Sequence, residues 1–329
     1  MTIVLDSMGS DDRPDPEVQA AVTASNQLHE EILLVGDENV LAEKLKALPG
    51  NHSRVKIIHA PEALDMEDHI AEARAKKQNT MRVGMELVKE RRADAFVTAG
   101  NTGMAMYYAK KTFGDIEGVM RPSLCAVFPV KDGRAVVLDI GANAECRPEF
   151  LVQFAVMGKI FAQTMLNVPN PRIGLLSNGE EEGKGNNLVR ETYPLLKAQE
   201  MNFVGNVEGK ELFGGQIDVL VTDGFTGNVL LKSTEAVAKL IIEILKEELL
   251  STFRTKMGAL LAKPAFEKIK IMLDPAEIGA APLLGVDALV FVGHGRSDAR
   301  AMVSAIHAAK QAVDNNLLGE LRSAIKENF

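Results

Sequence analysis

Two alternating hydrophobic periods constrain this chain more than any other feature. Short, continuously apolar, β-rich runs recur along it, separated by longer segments of helical period. The runs at residues 2–6, 32–36, 55–59, 95–98, 124–128, 135–139, 172–176, 202–205, 219–222 and 288–292 read as strands. Several, such as VVLDI and VLVTD, are continuously apolar, which suits strands covered on both faces. Segments 81–90, 149–164 and 187–198 fit between them as helices. Strands alternating with helices require right-handed crossovers, so the pattern predicts an α/β fold with a mostly parallel sheet.

In such a sheet, ligands bind beyond the carboxyl ends of the strands. Those ends carry Asp6-Ser7-Met8-Gly9, Gly100-Asn101-Thr102-Gly103 and Asp139-Ile140-Gly141-Ala142-Asn143. They also carry Ser177-Asn178-Gly179 running into Lys184-Gly185-Asn186, then Gly205-Asn206, Asp223-Gly224-Phe225-Thr226-Gly227-Asn228 and Gly293-His294-Gly295-Arg296. Glycine lets backbone N–H groups approach a ligand, and a turn that opens a helix is a ready anion site. Asn adds an uncharged donor and acceptor. Any one such turn reads as a cap. The set of Asn101, Asn186, Asn206 and Asn228 points to a shared ligand cleft.

Composition removes other classes. A net charge of −8, no Trp and three Tyr argue against nucleic acid as a partner. Two cysteines form no disulfide framework or metal spacing. Asp6 interrupts the first apolar run, so no signal peptide is expected, and no uncharged stretch is long enough to span a bilayer. A cytoplasmic protein is the expectation. Gly179 to Gly185 is one residue short of a Walker A loop, and Gly293-His294-Gly295 lacks the third glycine of a dinucleotide fingerprint. Neither HExxH nor GxSxG occurs. Glu180, Glu181 and Glu182 offer metal ligands, although a run of three carboxylates is more often a solvated face. His29, His52, His59, His69 and His307 read as surface or packing residues.

The motifs together resemble the bacterial phosphate acyltransferases of phospholipid synthesis. The match runs from DSMGSD at Asp6, through VGD at Val35, AGNTG at Ala99, RP at Arg121, LDIGAN at Leu138, GEEEGKGN at Gly179, VTDGFTGNVLLK at Val221 and APLLGV at Ala281, to HGRSDARA at His294. Ser7 and Ser10 stand where the family usually has Ala and Gly, Ser177-Asn178 replaces Asn-Ile, and Gly183 a larger apolar residue. Ala280 and Arg296 replace Gly and Ser. The resemblance implies a three-layer α/β/α fold like that of the isocitrate and isopropylmalate dehydrogenases, a homodimer, and peripheral membrane contact. It implies acyl transfer from acylated acyl carrier protein to inorganic phosphate, with no cofactor and no metal. A thioester is already activated, so the protein need only position phosphate and stabilise an oxyanion.

For that chemistry Lys184 is the candidate phosphate cation, and Asn228, Thr226, Asn101 and Thr102 are candidate donors. His294 is the candidate acid for the leaving thiolate, while Asp6, Asp139 and Asp223 orient loops or cap helices. Gly9, Gly103, Asn143, Gly185, Asn186, Gly224 and Gly227 complete the expected substrate and phosphate site. A phosphotransacetylase-like transferase using acyl-coenzyme A is the nearest rival, and a non-catalytic membrane scaffold a second. One region breaks the α/β rhythm: 228–250 reads as a long amphipathic helix, and 251–273 mixes apolar and basic residues around an interrupting Pro264. Residues 228–275 are thus expected to form a helical arm for dimerisation. Its tip, 251–273, has five Lys and Arg against Glu267 and suits an anionic membrane or the acidic carrier.

Overall fold

The apolar runs become strands. The computed structural model describes residues 1–68, 70–273 and 279–329; His69 and positions 274 and 275 of the expected arm lie outside them. The described strands are β1 (Thr2–Asp6), β2 (Glu31–Gly36), β3 (Val55–His59), β4 (Ala95–Thr98), β5 (Ser123–Val130), β6 (Gly133–Leu138), β7 (Ile173–Leu176), β8 (Phe203–Val207), β9 (Val219–Val221), β10 (Ala281–Leu284) and β11 (Leu289–Val292). The helices are α1 (Asp15–Leu28), α2 (Glu38–Ala47), α3 (Ile70–Ala75), α4 (Thr80–Lys89), α5 (Thr102–Phe113), α6 (Pro148–Met165), α7 (Asn187–Lys197), α8 (Gly209–Phe213), α9 (Gly224–Ser251), α10 (Phe253–Leu273), α11 (Ala299–Asp314) and α12 (Leu317–Asn328).

All the strands join one sheet in the order β3-β2-β1-β4-β11-β10-β5-β6-β9-β7-β8. Helices cover both faces. Ile3 and Leu5 pack on one side with α1, α6, α11 and α12 residues such as Ala21, Phe154, Ile306 and Leu321. Val4 and Phe96 pack on the other with Met85 of α4 and Ala105 of α5. The three-layer, mostly parallel expectation therefore holds.

The centre of the sheet departs from it. β10 pairs antiparallel with both β11 and β5, and β5 pairs antiparallel with β6. A two-residue turn at Lys131-Asp132 closes the β5–β6 hairpin, with Asp132 at φ 64° and Gly133 opening β6. The loop pair is Lys-Asp, with the glycine already in the ladder, so the Asn-Gly or Asp-Gly turn that signals a hairpin is displaced by one residue. β10 was not expected at all. It is four residues long and contains Pro282, which gives no ladder donor and hides a strand from pattern reading. Because of these reversals, β6, β9, β7 and β8 run opposite to β3, β2, β1, β4 and β11. The carboxyl ends of the two halves lie on opposite edges of the ladder.

The expected helical arm begins early, turns at Thr252 and does not break at Pro264. Helix α9 starts at Gly224, and α10 continues through Pro264. Proline there removes the bond to the Leu260 carbonyl, but Leu260 is 65% exposed, so that carbonyl sits on a solvent-facing turn. No helix among the described residues is long and apolar enough to cross a membrane.

Candidate functional site

The expected site residues fall into three groups. The first lies where β1, β4 and β11 end. Asp6 is buried and accepts hydrogen bonds from the Thr98 hydroxyl at 2.8 Å and Met8 N at 3.0 Å. Burial pushes its carboxyl up, while those bonds and Arg13 pull it down. The same Thr98 accepts Gly100 N at 2.9 Å, and its carbonyl accepts Gly293 N at 2.7 Å, tying the three loops together. Gly9 is buried in this knot. A Cβ on it would lie 2.7 Å from Gly100 N, so backbone packing alone requires glycine here. Asn101 caps α5: its Oδ1 accepts Met104 N, and its Nδ2 donates to Met66 O at 2.8 Å. One of its two amide protons is thus committed to the protein. The N–H groups of Thr102 and Gly103, the first two in α5, have no acceptor among the described residues.

The second group lies where β6 and β9 end. Buried Asp139 gathers five donors: Leu124 N (3.0 Å), Gly141 N (3.2 Å), Ala142 N (3.1 Å), and Asn143 N and Nδ2 (2.7 and 2.9 Å). Burial is the largest influence on its carboxyl and raises its pKa against these bonds. Asn143 also donates to Pro122 O at 2.7 Å, so both protons of its amide hold the loop. Helix α9 is pressed onto that loop. Gly224 N donates to Asn143 O at 2.8 Å, and a Cβ at Gly227 would lie 1.9 Å from the Asp139 carbonyl oxygen. Both glycines are therefore explained by close helix–loop approach. Asp223 caps α9 by accepting Thr226 N at 2.9 Å and the Thr226 hydroxyl at 2.7 Å. Thr226 thus gives both its N–H and its hydroxyl proton to Asp223. Asn228 differs. It is half-buried beside Gly141, and its carboxamide has no hydrogen-bond partner among the described residues.

The third group is the loop after β7. Gly185 adopts φ +98° and donates to Asn178 Oδ1 at 2.9 Å, and Asn186 caps α7 through Val189 N at 3.0 Å. Lys184 is exposed, lies along Gly179 and makes no ion pair among the described residues. Asn206, expected in a turn, is buried inside β8 and donates to Glu181 O at 2.9 Å. Glu180, Glu208 and Glu211 converge on Lys210 at 2.8, 3.0 and 3.5 Å, so a lysine answers their charge.

One contact missed in the sequence bridges the opposite edges of the sheet. His294 Nε2, in the loop after β11, lies 3.3 Å from Glu235 Oε1 on α9. That bond is the main cause holding the Glu235 carboxyl below its usual range, with Lys232 and Arg296 adding to it. Asn228 and Glu235 are seven residues apart, hence on one face of α9 and about 10 Å apart along its axis. The i, i+7 spacing was the signal available; it was hidden because α9 was read for its apolar stripe. The neighbouring Gly295 carbonyl accepts Asp11 N at 2.7 Å, which joins the His294 loop to the first group.

Similarity now adds to geometry. The family model described as a fatty acid synthesis protein matches residues 1–319. The phosphate acyltransferase of Acidobacterium capsulatum is 47% identical over 94% of this chain and 92% of that one. That of Elusimicrobium minutum is 46% identical over 99% and 96%. The chain belongs to the phosphate acyltransferase family. As a member, it is an acyltransferase with phosphate as acceptor, in the sphere of fatty acid synthesis. Among solved structures, a phosphotransacetylase from Streptococcus pyogenes superposes with TM-score 0.62 at 18% identity, covering 95% of this chain and 94% of that one. A 4-hydroxythreonine-4-phosphate dehydrogenase from Klebsiella pneumoniae reaches TM-score 0.50 at 13% identity, covering 94% and 98%. Both likenesses concern the fold alone.

For an acyltransferase, the informative distinction is between committed and open donors. Asn143 and Thr226 spend theirs on the protein, and Asn101 and Asn206 spend one amide proton each. The Thr102 and Gly103 amides, the Asn228 carboxamide and Lys184 are open to a ligand.

Proposed function

We propose that the enzyme transfers the acyl group of acylated acyl carrier protein to inorganic phosphate in the cleft along the Asn228–Glu235 face of α9. The Thr102 and Gly103 amides and Lys184 hold the phosphate. A phosphate oxygen attacks the thioester carbonyl carbon, and the Asn228 amide stabilises the developing oxyanion. The C–S bond then breaks, and His294, oriented by Glu235, donates a proton to the leaving sulfur. Phosphate returns that proton, so no redox step is involved. The reading is carried by Asn228: a half-buried carboxamide without a hydrogen-bond partner among the described residues, on one helix face with the His294–Glu235 pair.

The arm belongs to the same proposal. Val237, Leu240, Ile241 and Ile244 of α9 are each more than half exposed, as are Leu260 and Leu261 of α10. The α9 stripe pairs with its copy in a two-fold homodimer, and the basic, apolar tip meets an anionic membrane. The testing assay traps acyl phosphate from acyl carrier thioester and phosphate with hydroxylamine. Asn228→Ala should lower kcat/KM by about a hundredfold or more, the scale of one lost oxyanion donor. Turnover with coenzyme A thioesters but not carrier thioesters would reassign the donor.

A further inference from the structure

Helix α5 begins in the candidate site and ends on a surface of different character. Thr102 and Lys111 are nine residues apart, roughly 14 Å along the helix. Around that far end the charge of the chain inverts. Residues 70–113 hold nine Lys and Arg against four Asp and Glu, in a protein of net −8. Arg74 donates to the Tyr107 hydroxyl at 3.0 Å, and the Arg74 and Lys111 cations lie 5.4 and 5.6 Å from the Tyr107 ring centre. Beside them Arg82, Lys89 and Lys111 line a concavity of about 180 Å³, floored by Tyr108 and Thr112. Only Arg82 of these has a carboxylate close by, Glu86 at 2.9 Å; Arg74, Lys89 and Lys111 make no ion pair among the described residues.

We infer that this α3–α4–α5 surface is the docking site for an acidic acyl carrier protein, whose thioester arm then runs along α5 to the Thr102–Gly103 amides. The inference rests on the carrier-protein donor proposed above. Unpaired cations held in place by an aromatic ring lose little on meeting carboxylates, and complementary charge of this kind governs encounter and orientation. A soluble partner fits better than lipid here. Among residues 71–113 no large apolar side chain is exposed, whereas membrane adsorption needs apolar residues interleaved with the cations. The arm tip has that mixture, with Leu260 and Leu261 at 65% and 82% exposure. The two basic surfaces thus divide the work: one receives the carrier and the other the lipid surface.

The test compares two donors in the same acyl phosphate assay: acyl carrier protein and the acyl thioester of free pantetheine. In Arg74→Glu/Lys111→Glu, KM for the carrier thioester should rise about tenfold or more, with kcat within twofold and a weaker dependence on salt. Kinetics with the pantetheine thioester should not change. The milder Arg74→Gln/Lys111→Gln should give an intermediate rise, which guards against a folding defect in the charge reversal. Lys256→Glu/Lys263→Glu, on the arm, should leave carrier KM unaltered. An unchanged carrier KM in the α5 variants, or an equal loss with both donors, overturns the docking site while leaving the acyl-transfer reading intact. Wild type that ignores the carrier thioester but uses the pantetheine one sinks the donor assignment and the docking site together.

Discussion

Gly227→Ala probes how the site is assembled. An added Cβ would stand 1.9 Å from the Asp139 carbonyl oxygen and 2.9 Å from its carbon, where real Cβ atoms essentially never come under 3.0 Å. The obstacle is backbone, pinned by the Asp139 N bond to Thr222 O at 3.0 Å, so no side chain can swing aside. The first turn of α9 must retreat by about 1 Å, carrying Asn228 with it. A misplacement of that size costs on the order of a hundredfold in rate. Stability should suffer less. Overpacking costs about 1–3 kcal/mol, and replacing glycine by alanine in a helix returns about 1 kcal/mol. The expected result is kcat/KM down roughly a hundredfold with Tm lowered by only a few degrees. Gly258→Ala is the control, because a Cβ there meets nothing within 4 Å. Steady-state kinetics and calorimetry on both variants decide it. A Gly227→Ala enzyme with wild-type kcat/KM would falsify the claim that the α9–Asp139 contact positions the site.

Three further outcomes follow from named contacts. Lys184→Ala should raise the phosphate KM or lower kcat/KM by about a hundredfold with little change in Tm, since the side chain is exposed; a normal phosphate dependence would place the cation elsewhere. Glu235→Gln should cut kcat about tenfold, and the loss should shrink with a more acidic leaving thiol, which needs no proton. An equal loss with every thiol would leave Glu235 a purely structural role. Burial pushes the Glu17 carboxyl from 4.5 up to about 7, so its stabilising form is the protonated one, fully present below 4.5 and lost as pH rises through 7. Glu17→Gln keeps an acceptor for Ser10 N and should gain over wild type as pH rises from 5.5 to 8.5, by roughly 2 kcal/mol; a stability gap independent of pH refutes this.

Features under short-range physical control are legible in the chain alone. Continuous apolar runs had to be buried on both faces, so nearly every strand was legible. Asp37, Asn79, Asn101, Asn186, Asp223 and Asp298 each cap a helix by accepting an N–H two or three residues ahead, a relation written in the chain itself. The family signature is likewise a string of local turns. Tertiary structure decided which of those turns spend their side-chain donors on the protein. Asn143 and Asn228 look alike as residues in glycine turns, yet one spends its amide on Pro122 O and Asp139 while the other has no partner among the described residues. Gly227 reads as a phosphate-loop glycine until Asp139, 88 positions earlier, is placed against it. The reversal at β10 and β5 put the expected strand ends on opposite edges, and only α9 brings Glu235 back to His294. A hydrogen bond's partner depends on which long-range strand pairings exclude the alternatives. Local pattern carries no information on that choice, because each donor's options look the same until the sheet is closed around them.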